Sequence, residues 1–169
     1  MFQVDHLQQT SQIIDAKDYA KIVRYWDKAG STDIGAYTVG VKMIRLKNGM
    51  FLIDDVKRGQ WRSEKRELII QQTAAVDGPN CTVVVEQEPG SGGKESVNET
   101  IKSLAGFMVF KDRPTGDKAT RADPFSVQVN NGNVILRTAD WNYAYKEELR
   151  SFPYSRHKDQ VDASSGAFS

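Results

Sequence analysis

At 169 residues and a formal net charge of +1, the chain has the length of one domain and no basic field broad enough to announce nucleic acid by itself. Its single cysteine, Cys81, excludes an internal disulfide framework, and its apolar runs fall far short of the roughly 18 residues a membrane span needs. Residues 1–10 are mixed and polar, unlike a secretory leader, so a soluble, intracellular-type domain with a disulfide-free core is expected.

Residues 1–20 carry weak helical character around Ile13 to Tyr19 and read as an N-terminal linker or extension, with the main domain over 21–169. Ile22 to Trp26 is the first strand, and turn formers over Lys28 to Gly35 break it. Tyr37 to Leu46 alternates as a second strand. Asn48-Gly49 is a strong hairpin signal, and Met50 to Val56 returns as the third. These three strands form an antiparallel meander. Arg62 to Ala75 reads as a helix that Ser63 opens and Asp77-Gly78-Pro79 stops. Cys81 to Val85 is a β-branched run of the kind buried on both faces.

A Gly-rich loop, Glu86 to Lys94, precedes a helix over Ser96 to Leu104 and a strand over Phe107 to Phe110. Arg113 to Lys118 is polar and loop-like. Helices follow over Arg121 to Val129 and Asn142 to Phe152, separated by a short strand at Val134 to Arg137. A last helix starts near Asp159, and the small residues Ala163 to Ser169 look like a polar tail. The order implies an α/β fold: a mixed five-stranded sheet, its strands 1–3 antiparallel and the rest parallel, flanked by helices.

Ligands of such sheets gather at the carboxyl ends of the strands, and the first and fourth strands end on Asp27 and Glu86. A third acid on a late helix, Asp159, can reach the same edge, with Asp162 one turn later as its rival or partner. Carboxylates suit hard cations such as Mg²⁺ and Mn²⁺, and two such ions roughly 3.5–4 Å apart can drive phosphodiester hydrolysis. Blander readings stand beside this one. An Asp after an apolar run is often a turn residue, and Asp159 could simply cap a helix. The Gly90 to Lys94 stretch lacks a nucleotide-binding spacing because Glu95 follows Lys94, leaving a flexible loop or a DNA-backbone contact. Lys94, Lys118, Arg121 and Arg156 could meet phosphate by charge. His157 is a possible proton shuttle or ordinary surface. Trp26, Trp61 and Trp141 fit core or rim packing.

Five segments in this order carry a resemblance: Arg24 to Gly30, Val85 to Lys94, Gly116 to Ala122, Glu148-Leu149 before Phe152-Pro153, and His157 to Ala163. Together they resemble the C-terminal nuclease domain of tailed-phage large terminases. The resemblance implies a ribonuclease-H-like fold and a two-metal endonuclease, using manganese or magnesium, that cuts double-stranded concatemeric DNA during packaging in the cytoplasm of the infected bacterial host. It assigns Asp27, Glu86 and Asp159 as the metal-binding acids. Its last motif carries two adjacent aspartates where this chain has Lys158-Asp159, so Asp162 is the fallback. It also implies an ATPase domain, a small terminase subunit and a portal as partners. The other readings are a resolvase- or transposase-type nuclease of the same fold, or a non-catalytic DNA- or portal-docking module.

Overall fold

The computed structural model describes residues 1–29 and 35–169. Alternating side chains build an antiparallel meander of β2 (Tyr19–Asp27), β3 (Thr38–Leu46) and β4 (Phe51–Gly59), each of nine residues. Its β3–β4 hairpin closes as the sequence predicts: Gly49 takes φ +88°, and Asn48 Oδ1 accepts from the Met50 N–H at 3.0 Å. The centre of the turn expected between β2 and β3, residues 30–34, lies outside the described residues.

Beyond the meander, β5 (Thr82–Glu86) and β6 (Val109–Asp112) add in parallel on one side, and β7 (Val134–Arg137) adds in parallel to β4 on the other. Helices α1 (Ser63–Asp77) and α2 (Ser91–Ser103) cover one face. The other carries α3 (Lys118–Asn130), α4 (Asn142–Ser151) and α5 (Asp159–Phe168). The fold class is the expected ribonuclease-H-like α/β arrangement, with a sheet of seven strands rather than five.

One added strand comes from residues 1–20, the expected linker or extension. β1 (Gln8–Thr10) pairs in parallel with β7, and Phe2, Val4 and Leu7 are buried in the main core. Phe2 packs 5.8 Å from Phe125, Phe168 packs 6.0 Å from the same ring, and Phe168 also meets Phe51 at 5.0 Å.

Two further expectations change. The Gly-rich stretch is helical from Ser91 on, because Gly90 at φ +95° turns the chain into α2. Ala163 to Ser169 is no tail: Ala163, Ser164 and Ser165 are buried in α5, which lies on β2, β3 and α3. Small residues suit that position. A Cβ on Gly166 would overlap the Tyr25 ring. Among the described residues, no helix is long and apolar enough to cross a membrane.

Alternation along β2 sends Tyr25 and Asp27 toward α3 and α5, and Arg24 and Trp26 toward α1 and α2. On the latter face Arg24 grips Asp77 with two bonds of 2.8 and 2.9 Å and Asp55 with a third at 2.9 Å. This buried guanidinium therefore has its charge compensated.

Candidate active site

Parallel register places Trp26 of β2 opposite Val85 of β5, which brings the next residues, Asp27 and Glu86, side by side at the sheet edge. α5 arrives over the same edge with Asp159 and Asp162 three residues apart, so both acids project from one helix face. One carboxylate oxygen from each of Asp27, Asp159 and Asp162 lies within 4.8 Å of the others. Glu86 stands beside this trio, close enough for its charge to raise the Asp27 carboxyl, and its Oε1 accepts from Arg121 Nη2 at 3.2 Å. Asp162 thus stands with Asp159 rather than in place of it.

These four acids line an open cleft of about 770 Å³, together with Lys94, Arg113, Lys118 and Arg121. Asp27 is only 6% exposed. Burial pushes its carboxyl well above the ordinary carboxylate range, and the charges of Glu86, Asp159 and Asp162 push the same way. Burial also raises Asp159, although Lys118, His157 and the Tyr37 N–H oppose the rise. Lys118 Nζ donates to Asp162 Oδ2 at 2.6 Å, and the surrounding carboxylates hold its ammonium charged against partial burial. An oxygen-only donor set carrying unbalanced negative charge fits a hard divalent cation.

The remaining candidates take varied places. Arg121 is paired to Glu86, whereas Lys94 and Arg113 form no ion pair among the described residues. His157 does not line the cleft; its ring lies edge-on to Tyr37 at 4.9 Å, and Arg58 covers that tyrosine at 3.7 Å. Arg156 is exposed and does not line the cleft. Trp26 is core, packed against Gly40.

Three supports escaped the sequence reading. Glu148 of α4 is buried; its Oε2 accepts the Val161 N–H at 2.7 Å and its Oε1 accepts Gln160 Nε2 at 3.1 Å. It satisfies an orphan donor at the start of α5, where Lys158 supplies no side-chain cap. Burial lifts Glu148 to about 7, with those two hydrogen bonds opposing. Lys28 is buried beside Asp27 and donates to Ser96 O at 2.9 Å and Thr100 Oγ1 at 2.7 Å, tying α2 to the end of β2. Burial lowers it to about 8. Tyr25 donates to Asp112 Oδ2 at 2.6 Å on the edge strand β6, across β5. Glu148-Leu149 stood among the segments that carry the resemblance, but its reach to α5 is a contact in space.

Known proteins converge on the same description. Residues 24–169 match the family described as the terminase RNaseH-like domain. No curated protein sequence matches the chain. Among solved structures, the nuclease domain of human cytomegalovirus terminase, manganese-soaked and inhibitor-bound, superposes with a TM-score of 0.69 at 17% identity, covering 98% of this chain and 90% of that one. The large terminase nuclease of thermophilic phage G20c with bound zinc gives 0.70 at 16% identity, covering 98% and 94%. The same nuclease with bound magnesium gives 0.70 at 15%, covering 98% and 93%. At such identities these likenesses establish the fold, while the family match spans nearly the whole chain. The chain belongs to the terminase RNaseH-like domain family.

Proposed function

We propose that this chain is a divalent-metal-dependent endonuclease that cuts double-stranded concatemeric viral DNA during genome packaging. The observation that carries the reading is the meeting of Asp27, Asp159 and Asp162 within 4.8 Å, with Glu86 beside Asp27 at the end of the neighbouring strand. These acids would hold two Mg²⁺ or Mn²⁺ ions, the metals named for the nuclease structures of similar fold. When bound, such ions activate a water and stabilise the leaving oxygen of the phosphodiester. The protein's own part is to fix and charge the site. Burial of Asp27 opposes its charge until a cation compensates it, and Glu148 holds the first turn of α5 so that Asp159 and Asp162 face the cleft. Lys94 lines that cleft with no ion-pair partner among the described residues and meets backbone phosphates by charge, which implies weak sequence preference. In the assembly this reading implies, an ATPase domain, a small terminase subunit and a portal are the partners, in the host cytoplasm.

Incubation with supercoiled plasmid tests the proposal. The chain is expected to nick and linearise it with Mn²⁺ or Mg²⁺ and to leave it intact in EDTA, and Asp27→Asn is expected to abolish cutting. Cutting that survives EDTA or Asp27→Asn would refute the assignment.

A further inference from the structure

Asp27 is the last residue of β2, and its backbone pairing with β3 ends opposite Val39. Past that point the ladder no longer holds the chain, yet Asp27 faces the like charges of Glu86, Asp159 and Asp162, which push it away. Side chains take over from the ladder. Thr38 Oγ1, fully buried, accepts the Ala29 N–H at 2.9 Å. Arg66 of α1, also buried, donates from Nη1 to the Ala29 carbonyl at 3.1 Å and from Nε to Glu67 Oε2 at 2.9 Å. Both main-chain polar groups of Ala29 are thus gripped. Glu67 Oε1 accepts the Thr100 hydroxyl and stands 3.7 Å from Lys28 Nζ, so one carboxylate serves two buried cations. Lys28 closes the network through its bonds to Ser96 and Thr100. Cations this deep are desolvated, and apolar side chains would fill the same corner without that cost. Apolar side chains could not, however, bond the main chain of Ala29.

We propose that Arg66 and Thr38, backed by Glu67, Lys28 and Thr100, are positioning residues for Asp27: they fix the main chain two residues past it and so set how tightly the acidic cluster takes a divalent cation. The proposal rests on the metal-nuclease reading and adds the machinery that holds one ligand in place. Arg66, Glu67 and Thr100 belong to α1 and α2, on the sheet face opposite α5, so this control reaches the site from behind.

Mn²⁺ binding to the whole chain, without DNA, tests it. Binding is read from the loss of the free aqua ion's electron paramagnetic resonance signal, with melting temperature in parallel, and Asp27→Asn marks the binding that belongs to the cluster. Arg66→Met removes the donors and keeps the aliphatic stem. Thr38→Val removes the hydroxyl at nearly the same shape, and Thr38→Ser keeps it. Below their melting temperatures, Arg66→Met and Thr38→Val are each expected to bind Mn²⁺ roughly tenfold more weakly, and Thr38→Ser to bind as wild type does. A role in stability alone would lower the melting temperature and leave the affinity of the folded protein untouched. Wild-type affinity in folded Arg66→Met or Thr38→Val overturns the positioning role, and Thr38→Val decides where Arg66→Met does not fold. Thr38→Ser as weak as Thr38→Val also overturns it. If Asp27→Asn alone weakens binding, the nuclease reading stands without the proposal. If wild type takes up no Mn²⁺ that Asp27→Asn abolishes, both fall.

Discussion

Asp27 is a buried acid of the cleft, and the reason is local. An apolar strand carries it into the core, and burial then opposes its charge before any neighbour does. Its legibility follows from the same cause, since a carboxylate that closes Ile22 to Trp26 is visible in the linear pattern, as is Glu86 after three valines. Glu148 was hidden in that pattern because its function depends on α4 and α5 meeting. Its removal is argued at this scale. Glu148→Ala strips the acceptor from the Val161 N–H and loosens the turn that bears Asp159 and Asp162. The manganese concentration needed for half-maximal cutting should rise by about 10–100-fold, the usual cost of losing a support behind metal ligands. Glu148→Gln keeps an acceptor at the same place and should recover most of the loss. A fall in cutting with an unchanged metal midpoint would argue against this positioning role.

Elements decide which acids meet. β2 and β5 are parallel neighbours, so their carboxyl ends coincide by register, a consequence readable from strand order. The docking of α5 is less readable: its small residues resemble a solvent-exposed tail until Tyr25 is seen beneath Gly166. The start of α2 was also mistaken, since glycines weaken a helix signal even where the chain needs them for close approach. Gly166→Ala therefore probes the α5 interface. The added methyl meets a buried aromatic ring, and overpacking of this kind costs about 1–3 kcal/mol. The expected result is a lower melting temperature together with slower cutting, because the same displacement moves Asp159 and Asp162. Normal cutting by a destabilised Gly166→Ala protein would uncouple the interface from the site.

For the whole molecule, the raised carboxyls set an unusual dependence on acidity. Asp27, Asp159 and Glu148 all release protons later in the folded state than in the unfolded one. Such groups cost stability as pH climbs from the unfolded carboxylate range to the folded value, so the loss from Glu148 falls between roughly pH 4 and about 7, and Asp27 and Asp159 add to it in the same direction. Without metal, the melting temperature should decline across that window, and millimolar Mn²⁺ should cancel the decline by favouring the charged acids. A metal-free melting temperature that rises from pH 5 to pH 7 would contradict the proposed balance. Fold class was legible at this scale because alternation and hairpin chemistry are local. The seventh strand was not, since β1 finds β7 127 residues further along, as in the pairing of Gln8 with Ile135. Phe2 and Phe168 close on the same Phe125 ring, while Asp159 sits at the opposite end of α5, about 14 Å away for a helix of this length. Polypeptide fused ahead of Phe2 and behind Phe168 would thus leave from one shared corner, where a neighbouring module could swing or pull on the domain without shading the entrance that DNA would use.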